Sequence, residues 1–489
     1  MKSLMFTALM TVGAIAAVEA APTDAVTQAD LKALIERIAK LEAENQAQAK
    51  KIAELEGKTA RPTVAEQKPT GKIAVDEGAS VNDAGTIVTA TNGKSYKLVD
   101  ATANIFEPLS DAGLQVTPYG WLVLEGVYST RGLDMDWSTD FVQSKKSRAY
   151  RNHNSSLSCQ DSILGLQFAT VEAYNGWKFS GKAEFDLAGG NADDYAFHWR
   201  HLYFEATHES NFSVLFGQTW HLWKMVTPSE IDGAWMENTG HPYRRSPQIR
   251  VTQKWDFEDS TLEARLGFVK NGPNASTDRD DDGTLDSVAS AWGWLEGALV
   301  YEHDAPWQEN PSDKRWLLGI GGMYGRDKSH RWNGEEWYGD ADEYNSQMIM
   351  FAGSVPFGDF TLCGQIFSGE NLGRIQAGCA QSVAFDDGVN TKGREIATTG
   401  GFVDLKYALN ETWDFALGYG FDDPRLNGRY AGGRSNYGIT FNDRAYIDVF
   451  YHITGNFKLG LEYARLSTKY RGEGTACADR IQFTAFYDF

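Results

Sequence analysis

Apolar and polar residues alternate along much of the chain beyond Leu114. Trp177, Phe179, Ala183, Phe185 and Leu187 fall on one register, and Lys178, Ser180, Lys182, Glu184 and Asp186 fall on the other. Ile249, Val251, Trp255 and Phe257 alternate in the same way with Gln248, Arg250, Thr252 and Lys254. Trp413, Phe415, Leu417, Tyr419 and Phe421 repeat the pattern, as do Phe457, Leu459, Leu461 and Tyr463. A period of two puts successive side chains on opposite faces of a β-strand. Sixteen strands are predicted, near 114–130, 161–173, 176–189, 197–209, 211–223, 248–258, 261–271, 289–304, 314–326, 344–356, 359–369, 397–410, 412–422, 442–454, 456–468 and 479–489.

The connections are sorted by length. Those after even strands are short (Tyr174-Asn175, Ser210, Asp259-Ser260, Gly358, Glu411, Gly455), with His303 to Lys314 as the exception, and those after odd strands are generally long. A soluble β-sandwich also alternates but has no reason to sort its loops. A closed barrel whose two ends face different compartments does. The predicted fold class is therefore all-β, a sixteen-stranded antiparallel transmembrane β-barrel over 114–489, with a short α-helical coiled coil ahead of it.

The chain before the barrel divides into three. Lys2, the apolar run Leu4 to Val18 and the small residues around Val18-Glu19-Ala20 predict a signal peptide over 1–20. No later stretch is apolar enough for a spanning helix, so only a closed barrel, which satisfies its backbone internally, can cross a bilayer. Within 21–57, Leu31, Ile38, Asn45 and Ile52 occupy a positions and Leu34, Leu41, Gln48 and Leu55 occupy d positions. These heptads predict a coiled coil about 40 Å long, which needs copies of itself to bury its stripe. Ile at a with Leu at d favours a dimer on its own. Residues 58–113, with Pro62, Pro69 and Pro108, read as a linker, and two short alternating stretches, Gly85–Thr91 and Ser95–Val99, predict a small hairpin.

A formal net charge of -20 argues against a nucleic-acid partner. No nucleophile stands with a partnered base, and His198, His201 and His208 near Asp193 and Asp194 match no zinc spacing, so no enzymatic activity and no catalytic residue are expected.

Phe489 is the terminal residue, with Phe483, Ala485 and Tyr487 on the same face. Together with the leader, heptads, linker and barrel, this resembles an outer-membrane porin. Arg200-His201-Leu202-Tyr203, followed by Leu215-Phe216-Gly217-Gln218-Thr219-Trp220, resembles the DcaP-like porins in particular. The resemblance implies a homotrimer in the outer membrane, set among lipid and lipopolysaccharide. Its coiled coil would lie in the periplasm, and its permeants would be small organic anions such as dicarboxylates. Two other readings stand beside it. Fifteen tryptophans could line a sugar track, with Trp121 and Phe402 inward, and the N-terminal segments could tether the membrane to peptidoglycan.

If apolar faces meet lipid, the lumen receives Lys178, Lys182, Glu184 and Asp186, then Arg250 and Lys254, then Glu263 and Arg265, then Asp404 and Lys406. Charge in a water-filled bore with a low-dielectric wall biases which ions enter, and Arg250 with Lys254 is the expected filter pair. The third long loop, Lys224 to Ser246, carries Glu230, Asp232 and Glu237 early and His241, Tyr243, Arg244 and Arg245 late. Folded inward, it would set an acidic arm against a basic wall suited to carboxylates. Asp278, Asp280, Asp282 and Asp286 match part of a calcium loop, but Ala289 replaces its bidentate acid, so structural calcium competes with a hydrated acidic tip; no other cofactor is expected. Four cysteines allow three pairings. Cys159 and Cys477 end the first and last loops beside neighbouring strands, which predicts Cys159–Cys477 and leaves Cys363–Cys379.

Overall fold

Strict alternation gives long strands, and these close on themselves. The computed structural model describes residues 87–89, 95–97 and 113–489, except 136–137, 172, 191–194, 271–292, 309–313, 333–336, 386–392, 428–429 and 432–437. The signal peptide, the coiled coil and the calcium-like residues Asp278, Asp280, Asp282 and Asp286 lie outside the described residues. Ahead of the barrel, Ile87–Thr89 pairs antiparallel with Ser95–Lys97.

The barrel has sixteen strand positions. They are β1 (Leu114–Ser129), β2 (Asn154–Ser158 and Ile163–Thr170, one position broken in two), β3 (Trp177–Asp186) and β4 (His198–His208). Next come β5 (Phe212–Trp220), β6 (Arg245–Asp256), β7 (Ser260–Val269) and β8 (Trp294–Asp304). Then follow β9 (Arg315–Trp332), β10 (Trp337–Phe357), β11 (Phe360–Glu370) and β12 (Ala397–Ala408). The last are β13 (Trp413–Arg425), β14 (Ile439–His452), β15 (Phe457–Tyr470) and β16 (Gly474–Asp488). All neighbours are antiparallel, and β16 returns to β1 with Phe483 opposite Gly126. At the seam, terminal Phe489 exchanges backbone hydrogen bonds of 3.0 and 3.1 Å with Gly120, so the last residue completes the ladder. Among the described residues, closure leaves no barrel strand without a neighbour on either side.

The two registers separate as the alternation requires. Leu417 and Tyr419, Ile447, Leu461, Tyr463, Ile481 and Phe483 are exposed on the outside. Asp404, Asp422, Asn442, Arg444, Asp448, Glu462, Arg480 and Gln482 are buried inside. Two loops expected to be long are hairpins instead: β9 and β10 continue to Trp332 and Trp337, and β15 and β16 meet across Arg471, Gly472 and Glu473. Their polar residues pair strand to strand beyond the wall, which satisfies backbone groups that a loop would leave to water.

The expected disulfides are not formed: no disulfide joins Cys159, Cys363, Cys379 and Cys477 in this structure. The end of the first loop folds back as the upper piece of β2, so β1 stands between Cys159 and β16. Glu125 pairs with Ser158 on one side and Thr484 on the other, which puts Ser158, the chain neighbour of Cys159, level with Thr484, seven positions along β16 from Cys477. At ~3.4 Å per residue this separates the two by about 24 Å along the wall. Cys363 lies opposite Asp404, while the Cys379 amide donates to Asp422 at 3.2 Å, on a level four residues farther up. Disulfide bonding needs Cα atoms within about 7 Å. Alkylation in denaturant without reductant is therefore expected to label four thiols per chain, and a mass showing fewer would contradict this register.

Candidate functional site

The third loop, L3 (221–244), turns into the barrel from the ends of β5 and β6. Its root is fixed by His221, whose Nδ1 lies 2.5 Å from Glu296 Oε1 and whose Nε2 lies 3.0 Å from Ser246 Oγ, both partners being buried. The Leu222 amide donates to the other Glu296 oxygen at 3.1 Å. Trp223 then packs with Trp294, Met323, Met348, Met350, Phe367 and Leu372. This apolar mass fills the side of the barrel walled by β8 to β11.

Farther along, the acidic residues of L3 meet the opposite wall. Arg444 of β14 donates to Glu230 at 2.5 Å and to Asp232 at 3.0 Å, and Arg480 of β16 lies 3.0 Å from both Asp232 and Glu462. All of these side chains are completely buried. Glu462 also accepts from the Ile231 and Asp232 amides at 3.2 Å, and Ser229 donates to Asp404 at 2.9 Å. The oxygens of Glu230, Asp232 and Glu462 lie close enough together to ligate a metal, but the two guanidinium groups already supply the positive charge there.

The L3 tip rests on glycines: a Cβ at Gly420 would lie 2.1 Å from the Thr239 carbonyl, and one at Gly240 would lie 2.1 Å from that of Gly401. Loop 1 (130–153) and loop 6 (371–396) fold onto the same tip. Asn238 donates from its side chain to Asp140 at 3.0 Å and from its backbone to the Gln376 carbonyl at 3.1 Å.

A cavity of about 1010 Å³ lies between L3 and the wall that includes β1 to β5. On the wall, Arg200 pairs with Glu184 at 2.8 Å and Asp186 at 2.9 Å, and Lys182 with Glu184 at 2.8 Å, so these charges offset one another. On the L3 side, the Arg245 guanidinium sits 4.5 Å above the Trp220 ring and the Lys224 ammonium sits 4.9 Å from it. Arg244 donates to the Arg374 carbonyl at 2.9 Å. Among the described residues, no carboxylate lies within 4.0 Å of Lys224, Arg244, Arg245 or Arg250, and one Arg245 Nη is buried without an acceptor. Burial pushes Lys224 down to about 8. Glu237 lines the same cavity; burial pushes its carboxyl up to about 7 against the pull of Arg244 and Arg245.

No protein-family model matches the chain, and no curated protein matches it. Among solved structures, the crystal structure of the outer membrane channel DcaP of Acinetobacter baumannii superposes with a TM-score of 0.60 at 18% identity, covering 77% of this chain and 98% of that one. The barrel has the DcaP fold. Also similar are OmpF of Salmonella typhi in complex with daunomycin (TM-score 0.48, 13% identity, 78% of this chain, 99% of that one) and OprB of Pseudomonas putida (0.45, 9%, 79%, 97%).

Within this DcaP-type barrel, the two stretches that carry the resemblance lie side by side, with Leu202 opposite Gln218 and Tyr203 opposite Gly217. The expected lumen residues scatter along the bore. Lys178 is exposed at the short-turn end. Lys254 lies there too, half exposed and 3.4 Å from Asp256. Arg265 is held by Glu263 at 2.5 Å and by the Leu222 carbonyl. Glu237, Arg244 and Arg245 gather at the cavity; Glu230 also lines it, but its carboxylate, like that of Asp232, is turned onto the wall arginines. Phe402 is sealed beneath L3 against His241, which breaks the aromatic row with Trp121 that a sugar track would need. Sequence reading missed Arg444 and Arg480. Their only signal is an inward register shared with Asn442 and Gln482, because alternation shows which face a residue takes and not which loop lands on it.

Proposed function

We propose that the chain is an outer-membrane porin, a passive diffusion channel whose narrowed bore favours small anions. The observation that carries this is the unequal treatment of charge on L3. Glu230 and Asp232 are neutralised by Arg444 and Arg480 in a dry contact, whereas Arg244 and Arg245 border the open cavity and Lys224 sits behind them over the Trp220 ring, all three without a carboxylate partner among the described residues. A buried, offset pair contributes little field across the bore. Unpaired cations beside a low-dielectric wall focus theirs into it. Guanidinium groups also present forked donors to a carboxylate, so small organic anions suit the passage. Assembly through the N-terminal heptads into the homotrimer that the resemblance implies belongs to the same reading.

Single substitutions separate the two members of the expected filter pair. Arg250 is half-buried with an unpartnered Nε, while Lys254 is countered by Asp256 near the bore's end. In a bilayer with a salt gradient, Arg250→Ala is expected to reduce anion preference and Lys254→Ala to leave the zero-current potential within error of the unsubstituted channel. Equal effects of the two would reject this assignment.

A further inference from the structure

We infer that the cavity beside the L3 tip is a binding subsite for an aromatic monocarboxylate, an inference that rests on the anion-channel reading and names its substrate class. Three rings converge there. Trp235 lies 6.4 Å from Trp220 and 5.8 Å from Tyr243, and Tyr243 lies 5.5 Å from Trp220, all measured between ring centroids.

Trp235 is held in an unusual way. Its φ of 43° is left-handed, a conformation that a side chain as bulky as indole disfavours. The surroundings impose it: the Trp235 amide donates to the Asp232 carbonyl at 3.0 Å, and its own carbonyl contacts His241 Nδ1 at 2.7 Å. Tyr243 Oη adds a hydrogen bond to the adjacent Ala234 carbonyl at 3.1 Å. Strain that the neighbours over-determine is found where a side chain must be presented in one orientation. Here that side chain is a half-buried indole bordering open space.

The charge at the site selects among ring-bearing ligands. Arg245 keeps a buried Nη with no acceptor, and a buried donor is ordinarily satisfied. A carboxylate supplies that acceptor as a charge-assisted bond, which a neutral sugar cannot do. On the other side, Glu237 lies 3.4 Å from Tyr243 Oη and would repel a second negative group. One carboxylate on Arg245 with one ring among Trp235 and Tyr243 satisfies both.

The test compares benzoate with cyclohexanecarboxylate, which has the same charge and nearly the same size but no π system. With the full-length channel in planar bilayers, benzoate is expected to block potassium chloride current at a concentration about tenfold lower, the ratio that stacking one ring on an aromatic side chain supplies. Trp235→Leu should remove that difference, and Trp235→Phe should keep most of it. Equal block of the unsubstituted channel by the two acids overturns the inference whether or not the leucine variant folds, as does a benzoate advantage that survives in a folded Trp235→Leu channel. The zero-current potential of the same bilayers separates the underlying reading: a cation preference would remove anion selectivity itself, whereas an anion preference with equal block would remove only the aromatic subsite.

Discussion

Arg444→Ala is expected to release the third loop, raising single-channel conductance and moving selectivity toward cations. Arg444 holds Glu230 and Asp232 in a contact with no solvent access, and it also donates to the Thr139 carbonyl of loop 1. Removing one partner of a buried ion pair leaves the other charge uncompensated, at about 3–5 kcal/mol. The barrel does not carry that cost, because its sixteen positions are joined by backbone ladders that Arg444's side chain does not enter. The loop does carry it, and the cheaper state puts the Glu230 carboxylate in water within the bore while Arg480 keeps its contact with Asp232. The loosened loop widens the passage, and Glu230 then opposes Arg244 and Arg245. Conductance and zero-current potential measured together would show this, and a variant unchanged in both would mean that the clamp does not position L3.

Arg245→Glu has the largest expected effect on selectivity with the least on architecture. The guanidinium stacks over Trp220 and borders the cavity without a carboxylate partner among the described residues. Reversal of its charge leaves no acid without a base and deletes one cation–π contact, worth about 0.5–2 kcal/mol. In the bore the change is two charges on the lining of the cavity beside L3. In a tenfold salt gradient, where a perfectly selective channel gives about 59 mV, the zero-current potential should move on the order of 10–20 mV and cross toward cation preference. Arg245→Lys should stay close to the parent in sign while losing affinity for carboxylates, because an ammonium group lacks the planar fork. A glutamate variant that kept the parental potential would place the filter elsewhere.

Much of the barrel was legible because a period of two is local. Ile447 and Asp448 are adjacent in the chain and end on opposite faces, so the strand, its lipid face and its wet face can all be read without tertiary information. Extents were less legible. Residues near 327–343 look like loop because they are polar, yet β9 continues to Trp332 and β10 begins at Trp337, since backbone pairing along a hairpin needs no apolar register. The cysteine pairing failed for a related reason: neighbouring strands do not imply neighbouring residues, and the level of each loop end is set by where β2 breaks. The site was half legible. The run from Glu230 to Arg245 has the composition of a charged inward loop, but its acids turn away from its bases only because Arg444 and Arg480 wait on β14 and β16. That juxtaposition spans more than two hundred residues of sequence and belongs to the closed structure.

The zero-current potential of the unsubstituted full-length channel in a tenfold potassium chloride gradient bears most directly on all of this. With the L3 carboxylates held by the wall arginines and the L3 cations bordering the passage, its sign should report chloride as the more permeant ion. A potential of cation-selective sign, in the same bilayers and at neutral pH, would contradict the account.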